Sequence, residues 1–354
     1  MSVLNIGIIG CGSIANKAHI PNIQSIPNTK ITKVWSRTLE KAENTAKKFH
    51  IPTVVSQWED IVRSPDIDAI IIATPPVAHL APAKLALQHN KHVLCQARMA
   101  RNLNEAQEMY DLSCKSNVVT ALYPYGTRLK GNNMMKRLIN EEKYLGDLYE
   151  VKVTAFNDYE IHSPSWRKDS SIVGVNSMTL GMWVEILNRW VPPAKNLTAQ
   201  AKTHQITSEY INKRTPNSIV VAAILDNGAT ASYHFSGVIN QNQHSYIELY
   251  GSDGVLIYDI KTDTIHGAQS NQTKLAPIKI PDNESTYNNP DLHFIQAIQT
   301  KTRMYSDFED YGWSPGSYCQ KIYQGHDRKV TKDVVISTWQ SIYKMPKKYF
   351  EQFG

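Results

Sequence analysis

Short apolar runs alternate with amphipathic segments through roughly the first third of the chain. Val3–Ile9 has the composition of a buried strand, and Ser13 to about Gln24 has that of the helix after it. Further strands are predicted at Ile31–Trp35, Asp68–Ala73, His92–Cys95 and Val118–Leu122, with helices at Leu39–Phe49, Val77–His89 and Leu103–Lys115 between them. Regular alternation of strand and helix predicts a doubly wound parallel sheet, and we place this domain at residues 1–122.

The pattern changes after residue 122, and residues 123–354 are predicted to form a second domain. Its helices are expected at Leu129–Asn140, Val175–Trp190, Asp291–Thr300 and Thr331–Tyr343. Its strands are expected at Leu148–Phe156 and through a β-rich stretch, Leu197–Tyr258, which includes a hairpin turn at Asp226–Gly228. The polar stretch 262–289 is expected to be a loop. An antiparallel sheet with helices on one face is therefore predicted.

Composition and charge exclude several classes of protein. The 354 residues are 42% hydrophobic and 20% charged, which is an ordinary globular balance, and the net charge is +6. No basic block with interleaved aromatic residues indicates nucleic-acid binding, and no apolar run is long enough to span a membrane. The scattered cysteines predict reduced thiols and no metal site. Without a recognisable signal peptide, the expected location is the cytoplasm.

A glycine-rich turn follows the first predicted strand. Gly10, Gly12 and Ala15 match a G-x-G-x-x-G/A pattern that leads into a helix, with Cys11, Ser13 and Ile14 between them. Gly10 permits the tight turn, Gly12 lets the backbone approach a pyrophosphate, and Ala15 permits close packing. The free N–H groups at the start of the helix favour phosphate. We expect Gly10, Gly12, Ser13, Ile14 and Ala15 to bind a dinucleotide.

The residues after the second strand bear on the choice between NAD and NADP. An acidic residue there would bind the ribose 2′-OH, but the chain has Ser36, Arg37 and Thr38. A guanidinium at Arg37 can pair with a 2′-phosphate, so NADP(H) is favoured and NAD(H) remains open. Thr74, Pro75 and His79 follow the central strand and are also expected near the cofactor, although His79 equally fits a packing role.

These motifs together resemble the Gfo/Idh/MocA family, the glucose–fructose oxidoreductase and inositol dehydrogenase group. The resemblance extends over the whole chain and rests on the glycine turn and on several later motifs, namely Ser36-Arg37, Ala73-Thr74-Pro75-Pro76, His92–Cys95, Leu145-Gly146-Asp147, Trp166-Arg167 and Gly251–Gly254. It implies an α/β Rossmann domain followed by an α+β domain with a large open, mainly antiparallel sheet. It also implies sugar or polyol substrates and a homodimer or homotetramer assembled through that sheet.

The residues that usually perform catalysis in this family are missing. The family's Glu-Lys-Pro is replaced by Gln96-Ala97-Arg98, so Ala97 stands in place of the lysine that moves the substrate proton. An Asp and a His four residues apart on a later helix correspond to Thr179 and Trp183. Alanine cannot accept a hydroxyl proton. Either the substrate needs no lysine, another side chain acts as acid or base, or the protein binds its ligand without turnover.

Candidate replacements lie after the last strands of the first domain and in the second domain. Tyr123 and His162 are the candidate proton donors, with packing at the domain junction the favoured role of Tyr123. Gln96 is a candidate for contact with substrate or nicotinamide. Arg98 and Arg167 are candidates for orienting an anionic group of the substrate, with a structural ion pair the alternative for Arg98 and an interdomain salt bridge the alternative for Arg167. The remaining candidate substrate-binding residues are Tyr125, Asn176, Thr179 and Trp183, of which Trp183 also fits a core position.

The sequence thus predicts an NADP(H)-dependent oxidoreductase with a non-standard site for a small sugar-like or anionic molecule. One alternative is a catalytically silent nucleotide-binding sensor or scaffold. Another is a redox-assisted lyase or glycosidase that holds NAD tightly. Neither a metal, nor a nucleic acid, nor a membrane is expected as a partner.

Overall fold

The computed structural model describes residues 3–123, 129–162, 165–174, 180–204, 215–241, 243–285, 289–302 and 304. The strands are β1 Leu4–Ile9, β2 Thr29–Trp35, β3 Thr53–Val54, β4 Ala69–Ile72, β5 His92–Gln96, β6 Thr120–Tyr123, β7 Leu148–Phe156, β8 Ala194–Lys202, β9 Ser218–Leu225, β10 Thr230–Ser236, β11 Ser245–Gly251, β12 Gly254–Asp259, β13 Thr264–Gln269 and β14 Ala276–Ile278. The α-helices are α1 Ile20–Gln24, α2 Leu39–Phe49, α3 Glu59–Val62, α4 Leu80–Gln88, α5 Leu103–Cys114, α6 Asn132–Lys136, α7 Tyr159–His162, α8 Ser170–Val173, α9 Leu180–Trp190 and α10 Pro290–Thr300. No helix among these residues is both long and apolar enough to cross a membrane.

The first compact unit contains a parallel sheet of six strands in the order β3-β2-β1-β4-β5-β6. All four residues of β4 are buried, because helices cover both faces of a sheet of this kind. The chain leaves β1 in one direction to reach β2 and later returns to place β4 on the other side of β1. This reversal of strand order lies next to the glycine turn, where dinucleotides bind in doubly wound folds. The predicted Rossmann domain is confirmed.

Two segments distant in sequence complete this first unit. Helix α10 belongs to it, with Phe294 and Ile295 fully buried in the same apolar cluster as Ile6 and Ile8 of β1. Residues 171–174 belong to it as well, and a Cβ on Gly174 would overlap the carbonyl oxygen of Arg101. The sequence boundary at residue 122 places both segments in the second domain. Their apolar faces carry no signal of which core they join.

The second unit contains a sheet of eight strands in the order β14-β13-β12-β11-β7-β10-β9-β8. Neighbouring strands are antiparallel except for β7 and β10, which are parallel. Alternate residues of each strand face the core, as shown by the buried Val151 and Val153 on either side of the exposed Lys152. Helix α9 packs in the same core, where the Trp190 ring lies 5.2 Å from that of Tyr258. The predicted open, mainly antiparallel sheet is confirmed.

The prediction of a loop over residues 262–289 was wrong, because strands β13 and β14 lie within it. Only one large apolar side chain of β13, Ile265, is buried, so the alternation that would indicate a strand is weak. Pairing with β12 satisfies its backbone. Strand β14 contains Pro277, which an edge strand tolerates because one side of its backbone needs no partner.

The remaining helix predictions differ from the structure mainly at their ends. Leu39–Phe49 is helical as predicted. The helix expected at Leu129–Asn140 consists of α6 followed by a π-helical turn, Arg137–Glu141. Helix α9 is described from Leu180 onward, and the first five residues of the predicted Val175–Trp190 helix lie outside the described residues. The predicted helix Thr331–Tyr343 also lies outside them.

Candidate functional site

The glycine turn closes the carboxyl end of β1 directly beside the end of β4. Gly10 has a φ of +110°, and a Cβ on it would lie 2.7 Å from the carbonyl carbon and oxygen of Ala73. Its N–H donates to the carbonyl oxygen of Trp35 at 2.8 Å. Both the backbone conformation and the available space therefore require glycine at this position.

Gly12 differs from Gly10 in having open space around it. The nearest atom to a Cβ on Gly12 would be the Ala73 carbonyl oxygen, 3.9 Å away, and the residue is exposed. Ser13, which begins the following helix, is exposed as well, whereas Ala15 is fully buried. An open backbone at the start of a helix, with a small buried residue behind it, fits the pyrophosphate of a dinucleotide.

The helix after the turn is held to it by Asn16. The Nδ2 group of Asn16 donates to the carbonyl oxygens of Cys11 and Gly12, both at 3.1 Å. The helix widens into a π-helical turn over Ala15–His19 before it continues as α1. Pro21 lacks an N–H and would clash with a carbonyl in a regular helix, which accounts for this local widening.

The residues expected to select the cofactor lie at the end of β2, which is paired with β1. Arg37 and Thr38 are exposed and Ser36 is half-buried. Thr38 is the N-cap of α2, but its side chain makes no capping hydrogen bond. These side chains are available to a ligand next to the glycine turn.

Thr74, Pro75 and His79 form a short loop with internal hydrogen bonds after β4. The Thr74 hydroxyl donates to the Ala78 carbonyl oxygen at 2.9 Å. His79 is fully buried, with Nδ1 3.0 Å from the Met99 carbonyl oxygen and Nε2 2.7 Å from that of Thr74. Burial lowers the pKa of His79 despite these two carbonyls. The imidazole therefore connects this loop to the segment after β5, and its contact with cofactor stays a prediction.

Gln96, Ala97 and Arg98 follow one another at the carboxyl end of β5, and all three are half-buried. The peptide bond between Ala97 and Arg98 is cis. The side-chain oxygen Oε1 of Gln96 lies 2.8 Å from Nε2 of His19. Gln96 is therefore already part of a hydrogen-bonded group within the first unit.

That group includes two residues that the sequence analysis missed, His19 and Asp291. Nδ1 of His19 lies 2.6 Å from Oδ1 of Asp291, and both side chains are fully buried. Asn22 donates to the other carboxylate oxygen of Asp291 at 2.8 Å. The edge of the His19 ring meets the ring of Tyr123, with centroids 4.6 Å apart. Tyr123 is itself buried at the end of β6. The only sequence signal for this hydrogen-bonded group was the position of His19, which lies four residues after Ala15 on the same helix.

The second unit contains the other described candidates. Arg167 is exposed, and its guanidinium carbon lies 4.4 Å from the centroid of the Trp166 ring. Trp183 is buried, with its ring 6.1 Å from that of Phe235. His162 ends α7. Tyr125, Asn176 and Thr179 lie outside the described residues.

A buried lysine–glutamate pair in the second unit was also missed. Lys168 Nζ donates to the Glu160 carbonyl oxygen at 2.7 Å and lies 4.0 Å from Oε2 of the same residue. Both side chains are buried. Among the described residues, no group of three or more histidine, cysteine, aspartate or glutamate side chains is arranged to hold a metal.

Comparison with known proteins gives a family match to the first unit. Residues 4–123 match the model of the GFO_IDH_MocA oxidoreductase family with its NAD-binding Rossmann fold. The chain is 25% identical over 255 residues to an uncharacterized oxidoreductase, YrbE, of Bacillus subtilis, which covers 70% of this chain and 71% of that protein. It is 30% identical over 189 residues to levoglucosan dehydrogenase of Pseudarthrobacter phenanthrenivorans, with half of this chain and 48% of that protein covered.

Solved structures share the fold over nearly the whole chain. Levoglucosan dehydrogenase in complex with NADH and levoglucosan superposes with a TM-score of 0.77 at 20% identity, covering 91% of this chain and 97% of the other. At 20% identity, the likeness shows that this chain shares the two-domain fold of that protein.

Proposed function

Because residues 4–123 match the model of the Gfo/Idh/MocA oxidoreductase family, we propose that the protein is an NADP(H)-dependent oxidoreductase acting on a small sugar-like or anionic molecule. The observation that carries this proposal is the glycine turn beside the end of β4, where Gly12 leaves backbone open at the start of a helix. When bound, the nicotinamide supplies the hydride chemistry. The side chains of the protein bind and orient the reactants and move the proton.

The preference for NADP(H) rests on the residues after β2. No carboxylate stands at positions 36–38 to accept a hydrogen bond from a ribose 2′-OH. Arg37 is exposed there, and Trp35, two residues earlier, is hydrogen-bonded to Gly10 of the glycine turn. A guanidinium in that place pairs with a 2′-phosphate through charge-assisted hydrogen bonds. A structural relative was solved in complex with NADH, so the experiment must exclude a preference of this protein for NADH over NADPH.

Fluorescence titration of purified protein with NADPH and with NADH tests this assignment. We expect tighter binding of NADPH, and Arg37→Ala should weaken it by about tenfold or more while changing NADH affinity by less than about twofold. Arg63→Ala, at an exposed arginine after α3, is the matched control and should change neither affinity. Preference for NADH in the unaltered protein would overturn the assignment to NADP(H).

The substrate class is supported by the relatives and by two arginines. Levoglucosan dehydrogenase takes its name from a sugar derivative. Arg98 follows β5 in the first unit, and Arg167 stacks on Trp166 in the second. Guanidinium groups of this kind orient carboxylates or phosphates. Tyr123 and His162 remain the candidate proton donors, since Ala97 has no titratable group.

Turnover assays distinguish this proposal from its alternatives. NADPH consumption with a panel of carbonyl, imine and enone compounds would support a reductase. Tight retention of NAD without net turnover would instead support a lyase or glycosidase. Cofactor binding with no turnover on the whole panel would support a sensor.

We also propose a homodimer or homotetramer formed through the open sheet of the second unit. Val220 and Ile224 of β9 point to the face opposite the core and are 46% and 41% exposed. Exposed apolar side chains on one face of a sheet are typical of a surface that binds another protein.

A further inference from the structure

A buried chain of polar side chains in the first unit is not explained by the cofactor motif. It runs from Asn22 through Asp291 and His19 to Gln96, with successive hydrogen-bond distances of 2.8, 2.6 and 2.8 Å. The four residues come from helix α1 with its π-helical extension, from α10 and from the end of β5. Helix α10 contacts α1, β5 and β6, so the chain crosses the interior of this unit.

The partners of His19 determine its protonation state. Its Nδ1 faces an oxygen of Asp291, and its Nε2 faces the amide oxygen of Gln96. With the Gln96 amide in this orientation both partners accept hydrogen bonds, and the neighbouring Asp291 carboxylate favours the imidazolium form, in which both ring nitrogens donate. The charge is balanced by the Asp291 carboxylate, whose second oxygen accepts from Asn22. The ring of Tyr123, edge-on to the imidazole, limits its rotation.

The imidazolium in turn determines which end of the Gln96 amide is free. With Oε1 held by His19, the Nε2 group is left, and among the described residues it has no hydrogen-bond partner. Gln96 is half-buried at the carboxyl end of β5, the edge of the sheet where ligands bind in this fold. A neutral His19 would accept at Nε2, so the amide would rotate and present its oxygen instead.

We infer that His19 and Asp291 are positioning residues that hold Gln96 with its Nε2 donor directed to the carboxamide oxygen of the bound nicotinamide. This inference rests on the proposed function for its ligand, whereas the state of His19 belongs to the protein alone. Asn22 supports the pair through Asp291.

The first test uses the protein without cofactor. Long-range ¹⁵N–¹H correlation spectra should show both His19 ring nitrogens protonated at pH 7.5. In Asp291→Asn, the same ring should be neutral at that pH. A neutral ring in the unaltered protein would overturn the inference whether or not any cofactor binds. If Asp291→Asn does not fold, Asn22→Ala should give a smaller change in the same direction.

The second test uses cofactor affinity without turnover. Gln96→Met keeps the length of the side chain and removes the amide, so it should weaken NADPH binding by about tenfold, and Asp291→Asn should do the same. Gln88→Met, at an exposed position of α4, is the matched control. The 3-acetylpyridine analogue of NADP⁺ keeps the carbonyl oxygen and loses the NH₂, so the unaltered protein should bind it about as well as NADP⁺.

Adenosine 2′,5′-bisphosphate, which lacks the nicotinamide, separates the two proposals. Both variants should bind it as the unaltered protein does. If the variants lose this ligand too, the pair is merely structural and the positioning role is wrong. Unchanged NADPH affinity in both variants would also overturn the inference. Failure of the unaltered protein to bind any of these nucleotides would contradict the proposed function. The spectrum of His19 would still test the protonation state of its ring.

Discussion

The Nδ1 atom of His19 lies 2.6 Å from Oδ1 of Asp291, although 272 residues separate them in the chain. Asp291 is in the first turn of α10, and Asn289 caps that helix by accepting from the N–H groups of Asp291 and Leu292. The carboxylate is therefore fixed on a well-formed helix end whose apolar side chains lie in the core of the Rossmann unit. Helix α10 thus contributes a charged group to the interior of the nucleotide-binding unit.

Asp291→Ala should destabilise the protein strongly, because the change leaves a buried imidazolium or forces its deprotonation. We expect a loss of about 3–5 kcal/mol in the free energy of unfolding, measured by urea denaturation. The exposed Asp111, also in the first unit, provides the control Asp111→Ala, which should cost less than about 1 kcal/mol. Equal effects of the two substitutions would show that the His19–Asp291 pair contributes no more to the free energy of unfolding than an exposed aspartate does.

Gly10→Ala and Gly12→Ala should separate folding from cofactor binding. At Gly10 the positive φ and the 2.7 Å approach to Ala73 make alanine strained, so we expect a loss of about 2 kcal/mol or more in unfolding free energy. At Gly12 the protein has room for a methyl group, so stability should change by less than about 1 kcal/mol. NADPH affinity should still fall more than about tenfold, because the methyl group occupies the approach of the pyrophosphate.

These two substitutions would be compared by thermal unfolding and fluorescence titration. Normal NADPH binding by Gly12→Ala would mean that the pyrophosphate does not contact this turn.

Acid should destabilise the protein partly through His79. Burial lowers the pKa of His79 below its ordinary value of 6.5, so below about pH 6.5 the unfolded chain binds a proton that the folded protein does not. Stability due to this residue is therefore complete above pH 6.5 and decreases as the pH falls. His79→Gln should be less stable than the unaltered protein at pH 7.5. Between pH 6.5 and 5.5 its unfolding free energy should decrease by about 1 kcal/mol less than that of the unaltered protein.

Urea denaturation across that pH range checks the His79 prediction. His92, His234 and His293 have pKa values lowered in the same direction, so part of the dependence should survive in the variant. An identical slope in both proteins would contradict the assignment.

The described cysteines should differ sharply in reactivity. Burial raises the pKa of Cys11 to about 11 and raises that of Cys95 further, whereas Cys114 is exposed. Because the thiolate is the reactive form, iodoacetamide at pH 8 should modify Cys114 at least about tenfold faster than Cys11 or Cys95. Peptide mass spectrometry at successive times gives the three rates. Rapid labelling of Cys11 would indicate that the glycine turn opens in solution.

A charge on the open sheet should weaken self-association. Ile224→Glu places a carboxylate on the exposed face of β9, where it would be buried in a symmetric contact. Light scattering after gel filtration should show a smaller assembly, with unchanged NADPH affinity. Lys41→Glu, at an exposed position of α2 in the other unit, serves as the control. If the unaltered protein is monomeric, the proposed assembly is wrong.

Local patterns were sufficient to predict the Rossmann unit and its glycine turn. The alternation of strands and helices and the order Gly10, Gly12, Ala15 are properties of neighbouring residues, and the structure agrees with both. The absence of a lysine at position 97 is likewise visible in the sequence alone. Strand β13 was missed because its buried surface is small and its backbone depends on pairing with β12.

The sequence by itself determined the parallel sheet, the position of the glycine turn and the types of residue that follow the strands of that sheet. Only the tertiary structure decided that Asp291 meets His19 and that Gln96 completes the group. The reason is physical: strand propensity, helix periodicity and turn chemistry act over a few residues, whereas a buried ion pair forms wherever packing brings two distant elements together. Helix α10 joins one of the two cores according to the whole apolar surface available to it, and no stretch of sequence around Asp291 carries that information.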